Sequence, residues 1–214
     1  MIIEGDNLCL LDLTIRQLDN LFGICEDERS VLNTYLEEVL VKCKYCFAMT
    51  PNKYYRKGEK VYFNPYHSVQ YMIYLYFLAN TVYRANTNHV ILCDKIYYLN
   101  KVLNGVDLFY AIEMPAFFMA EHPIGSVIGR ASIGEGFFFY QNCTVGGFHF
   151  PDNRIVYPIL GTDVKLFAGA SIIGNCRIGN HVNIAAGTLV KNQDIPDNMN
   201  VFGQSPNLVI KPIK

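Results

Sequence analysis

His122 and Asp107 are the two residues of this sequence whose types and spacing best suit acid–base chemistry. His122 lies in AEHPIGSVIG, directly after Glu121, and Asp107 lies fifteen residues earlier in GVDLF. An imidazole changes its charge near neutral pH and can accept a proton, and a carboxylate on its second ring nitrogen fixes the tautomer and stabilises the charged form. The pair is therefore a candidate general base with its orienting acid, while the alternative of a solvated surface histidine stays open.

The residues around this pair follow a six-residue repeat. This period is typical of a parallel β-helix, in which each six-residue unit forms one short strand and one turn. Three units complete one turn of the coil in roughly eighteen residues, so a separation of fifteen would bring Asp107 and His122 near each other. The apolar residues of the repeat form two series, namely Val127, Ile133, Phe139 and Val145, and then Leu160, Leu166, Ile172, Ile178, Ile184 and Val190.

An insertion separates the two series. Val145 and Leu160 are fifteen residues apart, which is not a multiple of six, so residues 146–158 must leave the coil as a loop. Loops on a rigid scaffold often carry function, and this loop holds His149, Arg154 and Tyr157 among aromatic residues. These three side chains and Glu121 are candidates for binding an acceptor substrate. For His149 the alternative of a packing role within the loop stays open.

Residues 1–105 predict a helical domain. Apolar residues recur at helical spacing in residues 10–21 and 31–43, and the prolines and glycine of residues 51–66 indicate a connection. Ser68 is a candidate N-cap for a helix over about 69–85, and a further helix runs from Val90 to Leu103 before Gly105. Residues 106–203 are the predicted β-helix and residues 204–214 a C-terminal tail, which gives an α+β fold class.

The composition argues against several classes of protein. A net charge of −1 and 51% hydrophobic residues argue against nucleic-acid binding and against disorder. Residues 64–83 are uncharged but interrupted by Gln70 and Asn80, so we expect a buried helix and no membrane span. The N-terminus lacks the features of a signal peptide, and seven scattered cysteines indicate reduced thiols and a cytoplasmic location. Cys43 and Cys46 form an isolated CxxC that fits a helix face, and we expect no metal site.

The repeats resemble those of bacterial serine acetyltransferases, members of the left-handed β-helix acyltransferases. The similarity lies in EHPIGSVIGRASIGEGFFFYQNCTVGG and YPILGTDVKLFAGASIIGNCRIGNHVNIAAGTLV, and it extends more weakly to YHSVQYMIYLYFLANTVYR. In that family a histidine that follows an acid and precedes GxxIG is the general base, and an aspartate fifteen residues earlier pairs with it. The resemblance places these roles on His122 and Asp107, and it implies a left-handed coil.

The same resemblance implies a reaction and an assembly. It implies acetyl transfer from acetyl-CoA to a hydroxyl, with the oxyanion held by backbone amides near Gly146 and Gly147. It also implies a homotrimer with active sites between subunits, which the helical domain would join into a dimer of trimers. The CoA arm would lie between coils against small residues, although tight β-helix corners need small side chains in any case. These residues are Ala168, Gly169, Ala185, Ala186 and Gly187.

The loop departs from the family where the acceptor would bind. Val156, Tyr157 and Pro158 align with an Arg-His-Pro that reads the carboxylate of serine, and Arg130 replaces a glutamate. A missing guanidinium weakens carboxylate binding, because charge-assisted pairs are the strong ones. We therefore expect the acceptor hydroxyl to belong to a sugar or polysaccharide precursor of the capsule or O-antigen type. L-Serine is the alternative acceptor, and a non-catalytic trimeric β-helix that binds another protein is the second alternative.

Overall fold

The computed structural model describes residues 1–213, with the backbone alone for Leu8, and these residues form two compact units. The first unit comprises Met1–Asn104 and Phe109–Ala111, and the second comprises Gly105–Leu108 and the chain from Ile112 onward. The first unit is mainly helical, and the second is built from short strands. The domain borders given above and the role of the helical part in assembly stay predictions.

Helices that are capped by nearby side chains make up most of the first unit. They are α1 (Asn7–Phe22), α2 (Glu26–Met49), α3 (Ser68–Ala85) and α4 (Val90–Asn104), with single 3-10 turns at Lys53–Tyr55 and Thr87–His89. The Asp6 carboxylate accepts from the Cys9 amide at 2.9 Å before α1, and the Glu28 carboxylate accepts from the Cys25 amide at 2.9 Å at the start of α2. Cys43 and Cys46 are both buried on α2, so the prediction of a helix-face pair is confirmed.

Two short strands lie within the segment that the sequence marked only as a connection. These are β2 (Arg56–Lys57) and β3 (Lys60–Phe63), which pair antiparallel, while β1 (Ile2–Ile3) pairs parallel with β3. The Phe63 ring is buried and contacts the Phe47 ring of α2 at a centroid distance of 5.4 Å. This apolar contact anchors the segment, which explains why strands form between the breaking residues.

Helix α3 begins one residue earlier than predicted, and its N-cap is His67, not Ser68. The His67 Nδ1 atom accepts a hydrogen bond from the Gln70 amide at 3.4 Å. The buried Gln70 side chain accepts from the Asn64 amide at 2.6 Å and donates to the Tyr54 carbonyl at 3.0 Å. The cap therefore fixes the entry of the chain into a helix that is buried on nearly all sides.

Short strands build the second unit, and most of them pair in parallel. They are β4 (Asp107–Leu108), β5 (Phe118–Ala120), β6 (Val127–Ile128), β7 (Ser132–Ile133), β8 (Phe137–Phe139), β9 (Thr144–Gly146), β10 (Phe148–His149), β11 (Ile155–Val156), β12 (Ile159–Leu160), β13 (Lys165–Leu166), β14 (Ser171–Ile173), β15 (Arg177–Ile178), β16 (Asn183–Ile184), β17 (Leu189–Lys191), β18 (Met199–Gln204) and β19 (Asn207–Pro212).

The parallel strands form three ladders, one along each face of a coil. The ladders run β4-β6-β9-β14-β17, β5-β8-β13-β16-β18 and β7-β12-β15. Residues of the six-residue repeat stack on one another in these ladders: Val145, Ile172 and Val190 are consecutive partners in the first, and each is fully buried. The prediction of helices followed by a parallel β-helix is thus confirmed. Each coil buries its aliphatic side chains against those of the next, which stabilises the stack.

One residue of the predicted repeat is exposed where the repeat predicts a buried side chain. Val127 is 42% exposed, whereas Ile128 is 1% exposed and pairs with Val145. In the first coil Ile133 follows Ile128 after a step of five positions, where the regular repeat has a step of six. Because neighbouring strand residues point to opposite faces, a shift of one position exchanges the buried side chain for the exposed one.

The chain leaves the coil after β9 and returns at β12, as the insertion predicts. Between them β10 and β11 form an antiparallel hairpin in which Phe148 pairs with Val156 and His149 with Ile155. The coil then continues beyond Lys191, because Ile195 and Val201 pair with Ile178 and Ile184 and extend two of the stacks. The predicted border at residue 203 falls inside the closing β18-β19 hairpin.

Helix α3 was the candidate for a membrane-length segment in the sequence. Within residues 1–213 no helix combines the length and the apolar character that crossing a bilayer requires.

The cap of α3 gives the protein a pH-dependent stability. Burial lowers the pKa of His67, and the protonated imidazole cannot accept the Gln70 amide bond. A lowered folded-state pKa means that the unfolded chain binds the proton first, so stability is lost as the pH falls below about 6.5. We expect His67→Asn, which keeps a capping acceptor that does not titrate, to remove about 1 kcal/mol of this loss between pH 8 and pH 5. Urea unfolding of both proteins at the two pH values measures the difference, and equal pH dependence would contradict the prediction.

Candidate active site

The first coil of the β-helix places the His122 turn beside the strand that carries Asp107. The Gly125 amide donates to the Gly105 carbonyl at 2.8 Å, and the Asp107 amide donates to the Ser126 carbonyl at 2.8 Å. Asp107 is also the register partner of Val127. The two backbone segments that carry the predicted base and acid therefore run side by side, and the register partner of Asp107 lies five residues after His122.

His122 occupies the left-handed region of backbone space and is exposed. Its φ is 51°, and its carbonyl accepts from the Ile124 amide at 2.8 Å inside the turn. Such a conformation is uncommon for a residue other than glycine. It is not a catalytic sign here, because Asn142, Asp163 and His181 adopt a similar φ elsewhere in the β-helix unit. This backbone conformation turns the chain sharply and leaves the imidazole exposed.

Ser126 connects the neighbouring coils next to this turn. Its buried hydroxyl donates to the Tyr140 carbonyl at 2.7 Å and accepts from the Cys143 amide at 3.0 Å. Its own carbonyl holds the Asp107 amide. Through its backbone and its side chain, Ser126 thus connects the Asp107 strand, the His122 turn and the next coil. The sequence reasoning missed it, and an isolated serine in an apolar stretch gives little signal.

Glu121, a candidate acceptor-binding residue, is exposed, and its amide donates to the Phe139 carbonyl of the next coil at 3.1 Å. Burial, followed by a side-chain hydrogen bond with Glu121, raises the pKa of Tyr140, the residue after Phe139. The Tyr140 ring stacks on Phe167 at 5.6 Å with an interplanar angle of 15°. Tyr140 was also missed, because its contact with Phe167 crosses from one coil to the next.

The hairpin separates the remaining acceptor candidates into two groups. Arg154 lies 4.6 Å from the centre of the Phe150 ring, and its Nε atom lies 3.6 Å from the Asp152 carboxylate. His149 is exposed and shares a face of the hairpin with its partner Ile155, because paired strand residues point to the same side. The structure therefore does not bring Arg154 and His149 together.

Tyr157 packs against the start of the hairpin. A Cβ atom at Gly147 would lie 2.8 Å from Cε1 of Tyr157 and 3.1 Å from Cγ2 of Ile155. The ring thus lies directly on the Gly147 backbone, on the Ile155 side. His149, Ile155 and Tyr157 form one partly exposed surface, which we call the hairpin face.

The hairpin is fixed to the coil from its other side. The Lys191 ammonium lies 4.7 Å from the centre of the Phe148 ring, and a Cβ atom at Gly174 would lie 2.7 Å from Cβ of Phe148. These contacts hold the base of the hairpin against the corners of two later coils.

The small residues predicted to meet CoA lie at the corners of successive coils. The Gly187 amide donates to the Ala168 carbonyl at 2.9 Å, and the space around a Cβ atom at Gly187 is open to at least 4 Å. Ala186 and Gly187 are exposed, and Ala168, Gly169 and Ala185 are partly exposed. A narrow chain could approach this backbone closely, so the corners fit a pantetheine arm. Within residues 1–213 no three His, Cys, Asp or Glu side chains are grouped as a metal site requires.

Comparison with known proteins identifies the repeat. Residues 157–192 match the family model described as bacterial transferase hexapeptide (six repeats). A serine acetyltransferase of Synechococcus elongatus is 33% identical over 107 residues, which cover 50% of this chain and 43% of the relative. A serine acetyltransferase of Staphylococcus aureus is 26% identical over 138 residues, covering 64% and 63%.

Solved structures show the same fold. The crystal structure of Neisseria gonorrhoeae serine acetyltransferase superposes with a TM-score of 0.75 at 20% identity, covering 96% of this chain and 79% of that one. A serine acetyltransferase solved in complex with CoA gives a TM-score of 0.67 at 19% identity, covering 93% and 83%. The chain carries a serine acetyltransferase-like hexapeptide-repeat unit. The left-handed parallel β-helix that the resemblance implied is thereby confirmed.

The comparisons also correct the predicted acceptor. The prediction of a sugar or polysaccharide precursor is wrong, because these relatives and structural neighbours are serine acetyltransferases. That prediction rested on two missing side chains in one loop, whereas the similarity extends over the coils. The chain spans about half of the Synechococcus relative and somewhat less than two thirds of the Staphylococcus one.

The packing of Tyr157 on Gly147 can be tested by substitution of the glycine. We expect Gly147→Ala to lower the free energy of unfolding by about 1 kcal/mol and to displace the Tyr157 ring, since overpacked sites cost of this order. Gly146→Ala is the matched control, because its Cβ atom would meet its nearest neighbour, Cδ1 of Ile173, at 3.8 Å. Urea unfolding of the two variants measures the difference. Equal stability of both variants would show that Tyr157 does not pack on Gly147.

Proposed function

We propose that this protein is an acetyl-CoA-dependent O-acetyltransferase whose acceptor is L-serine. The observation that carries the proposal is the pairing of the His122 turn with the Asp107 strand, in a unit that resembles serine acetyltransferases. The relatives' names support the acyltransferase class and serine as acceptor. A cytoplasmic location follows from the same resemblance and from the reduced thiols.

In this proposal His122 is the general base and Asp107 its orienting acid. The imidazole removes the proton of the serine hydroxyl, and the resulting oxygen attacks the thioester carbonyl of acetyl-CoA. Backbone amides near Gly146 and Gly147 stabilise the tetrahedral oxyanion. The oxyanion collapses, the carbon–sulfur bond breaks, and the leaving CoA sulfur takes the proton from the imidazolium. Asp107 stabilises the charged imidazole between these two proton transfers.

The acetyl donor lies along the open coil corners in this proposal. Ala168, Gly169, Ala185, Ala186 and Gly187 let the pantetheine arm approach the backbone. One structural neighbour is a serine acetyltransferase in complex with CoA, which supports acetyl-CoA as the donor. No metal is required, because the base and the backbone amides supply the proton transfer and the charge stabilisation.

The layout of one chain favours active sites shared between subunits. The His122 turn borders the start of β9, where the Asn142 amide donates to the Ile124 carbonyl at 3.0 Å. The hairpin leaves from the opposite end of β9, after Gly146. The four residues from Cys143 to Gly146 span roughly 13 Å when extended, so the base and the hairpin face of one chain lie too far apart for one small acceptor. A homotrimer that brings the hairpin of one subunit to the His122 of the next completes the site.

The hairpin face supplies the acceptor contacts in this arrangement. His149 and Tyr157 are its polar side chains, and Tyr157 stands at the position where the family's loop carries its histidine. Arg154 can pair with the serine carboxylate only after it leaves Phe150 and Asp152. Glu121 lies beside the base and faces the amino group of the acceptor in this proposal.

The reaction is tested by release of the CoA thiol from acetyl-CoA with L-serine as acceptor. We expect His122→Asn, which tolerates the left-handed backbone, to lower kcat/KM by about 10²- to 10⁴-fold, the usual contribution of a general base. His181→Asn is the matched control, because His181 has a φ of 54° at another coil corner and pairs with Asp163 at 3.2 Å. We expect it to retain activity.

Two results would overturn the proposal. Turnover of sugars in preference to serine would remove the acceptor assignment. Equal activity of the His122→Asn and His181→Asn proteins would remove His122 from the mechanism.

A further inference from the structure

We propose that Gln141 is a binding residue for the acetyl donor: its side-chain oxygen accepts a hydrogen bond from the amide N–H of the pantetheine arm that lies nearest the thioester. The inference deepens the proposed function and rests on it, but its main test measures the binding of CoA without an acceptor. It assigns a ligand to a polar side chain that lies outside the catalytic pair, the hairpin face and the small corner residues.

Gln141 has a buried side-chain oxygen that lacks a partner within residues 1–213. This atom, Oε1, accepts no hydrogen bond, whereas the backbone carbonyl of the same residue accepts from the Gly169 amide at 2.9 Å. Buried polar atoms are nearly always paired, so an unpaired one needs an explanation. A ligand donor that pairs with this oxygen removes a desolvation cost that the free protein carries.

Neighbouring polar groups of the same corner have partners, which distinguishes the glutamine oxygen from them. The Asn142 amide donates to the Ile124 carbonyl at 3.0 Å, and the Cys143 thiol donates to the Phe167 carbonyl at 3.2 Å. The Cys143 amide donates to the Ser126 hydroxyl at 3.0 Å. The backbone of this corner is therefore fixed on both sides, and the unpaired oxygen does not result from a loose turn.

The corner that holds Gln141 lies between the proposed base and the small residues proposed to meet the donor. It bonds back to the His122 turn through the Asn142 amide, and it bonds forward to the next corner through Gly169. The column of corners then continues to Gly187, and each step along it is one coil of roughly 4.8 Å. A donor that runs from the open corner at Gly187 to His122 therefore passes Gln141.

The pantetheine arm carries a matching group at a matching distance. Two methylene groups join the thioester sulfur to the first amide nitrogen, and with bonds of about 1.5 Å this linkage spans roughly 4 Å when extended. That length is close to the single coil step between the His122 turn and the Gln141 corner. A thioester at His122 thus brings an amide N–H to the level of the Gln141 side chain.

The Gln141 oxygen can reach this N–H at little cost. The residue as a whole is partly exposed, so its amide group lies near the surface of the corner. The terminal torsion of a glutamine side chain is soft, and no hydrogen bond to Oε1 has to be broken before it turns. The ring of the preceding residue, Tyr140, stacks on Phe167 at 5.6 Å and gives the methylene groups of the arm an apolar wall.

The test is calorimetric titration of the full-length protein with CoA in the absence of an acceptor. We expect Gln141→Met, which keeps the side-chain length but has no amide, to weaken CoA binding about five-fold, the usual contribution of one neutral hydrogen bond. Adenosine bisphosphate, the nucleotide half of CoA without the arm, should bind both proteins equally. Urea unfolding should show a variant at least as stable as the wild type, because it loses an unpaired buried acceptor.

Gln193→Met is the matched control. The Gln193 oxygen accepts from the Ser205 hydroxyl at 2.9 Å at a different corner of the β-helix unit, so the same substitution there removes an amide that is already paired. We expect it to lower the stability of the protein and to leave its affinity for CoA unchanged.

The outcomes separate this inference from the proposed function. Equal CoA affinity of the wild type and Gln141→Met overturns the role of Gln141, and so does a loss that extends equally to adenosine bisphosphate, because it shows a general disturbance of the site. A variant that no longer sediments as the wild-type oligomer also overturns it, since a neighbouring subunit then meets the oxygen. Weakened CoA binding in a protein that does not acetylate serine supports the role of Gln141 and refutes the acceptor alone.

Discussion

In-register stacking of aliphatic side chains in successive parallel coils is the constraint on which the second unit depends. Val145, Ile172 and Val190 lie above one another, as do Leu166 and Ile184, and all are buried. Burying one such residue against the next is worth about 1.5–3 kcal/mol, so slipping a strand by one position would expose the whole stack. The stacking fixes the position of every corner along the axis of the coil. It is this that sets the Asp107 strand beside the His122 turn.

The same constraint explains how the coil can accept an inserted loop without a disturbance of its core. Leu160 pairs with both Ile133 and Ile178, although one neighbour is 27 residues away and the other 18. The nine additional residues are absorbed by the hairpin, which packs on the coil through Phe148 and Gly174. In the proposed function the rigid coil positions the base and the inserted hairpin meets the acceptor.

The sequence predicts what depends on a local period and fails where contacts cross between coils. The six-residue spacing correctly gives the buried positions Leu166 and Ile172, but it misplaces Val127, because the first coil is one residue shorter and no local pattern marks the shift. The stacking of Tyr140 on Phe167 spans twenty-seven residues and follows only from the stacking of coils. The acceptor was mispredicted because two absent side chains in a loop outweighed the similarity of the whole repeat.

A double-mutant cycle on kcat/KM for acetyl transfer to serine tests the central claim, that Asp107 and His122 act as one unit. The proteins to compare are the wild type, Asp107→Asn, His122→Asn and the double variant. Residues that act together give losses that do not add, so the account predicts that the double variant is no slower than His122→Asn alone. Losses that multiply in the double variant, or an Asp107→Asn protein with wild-type activity, would contradict it.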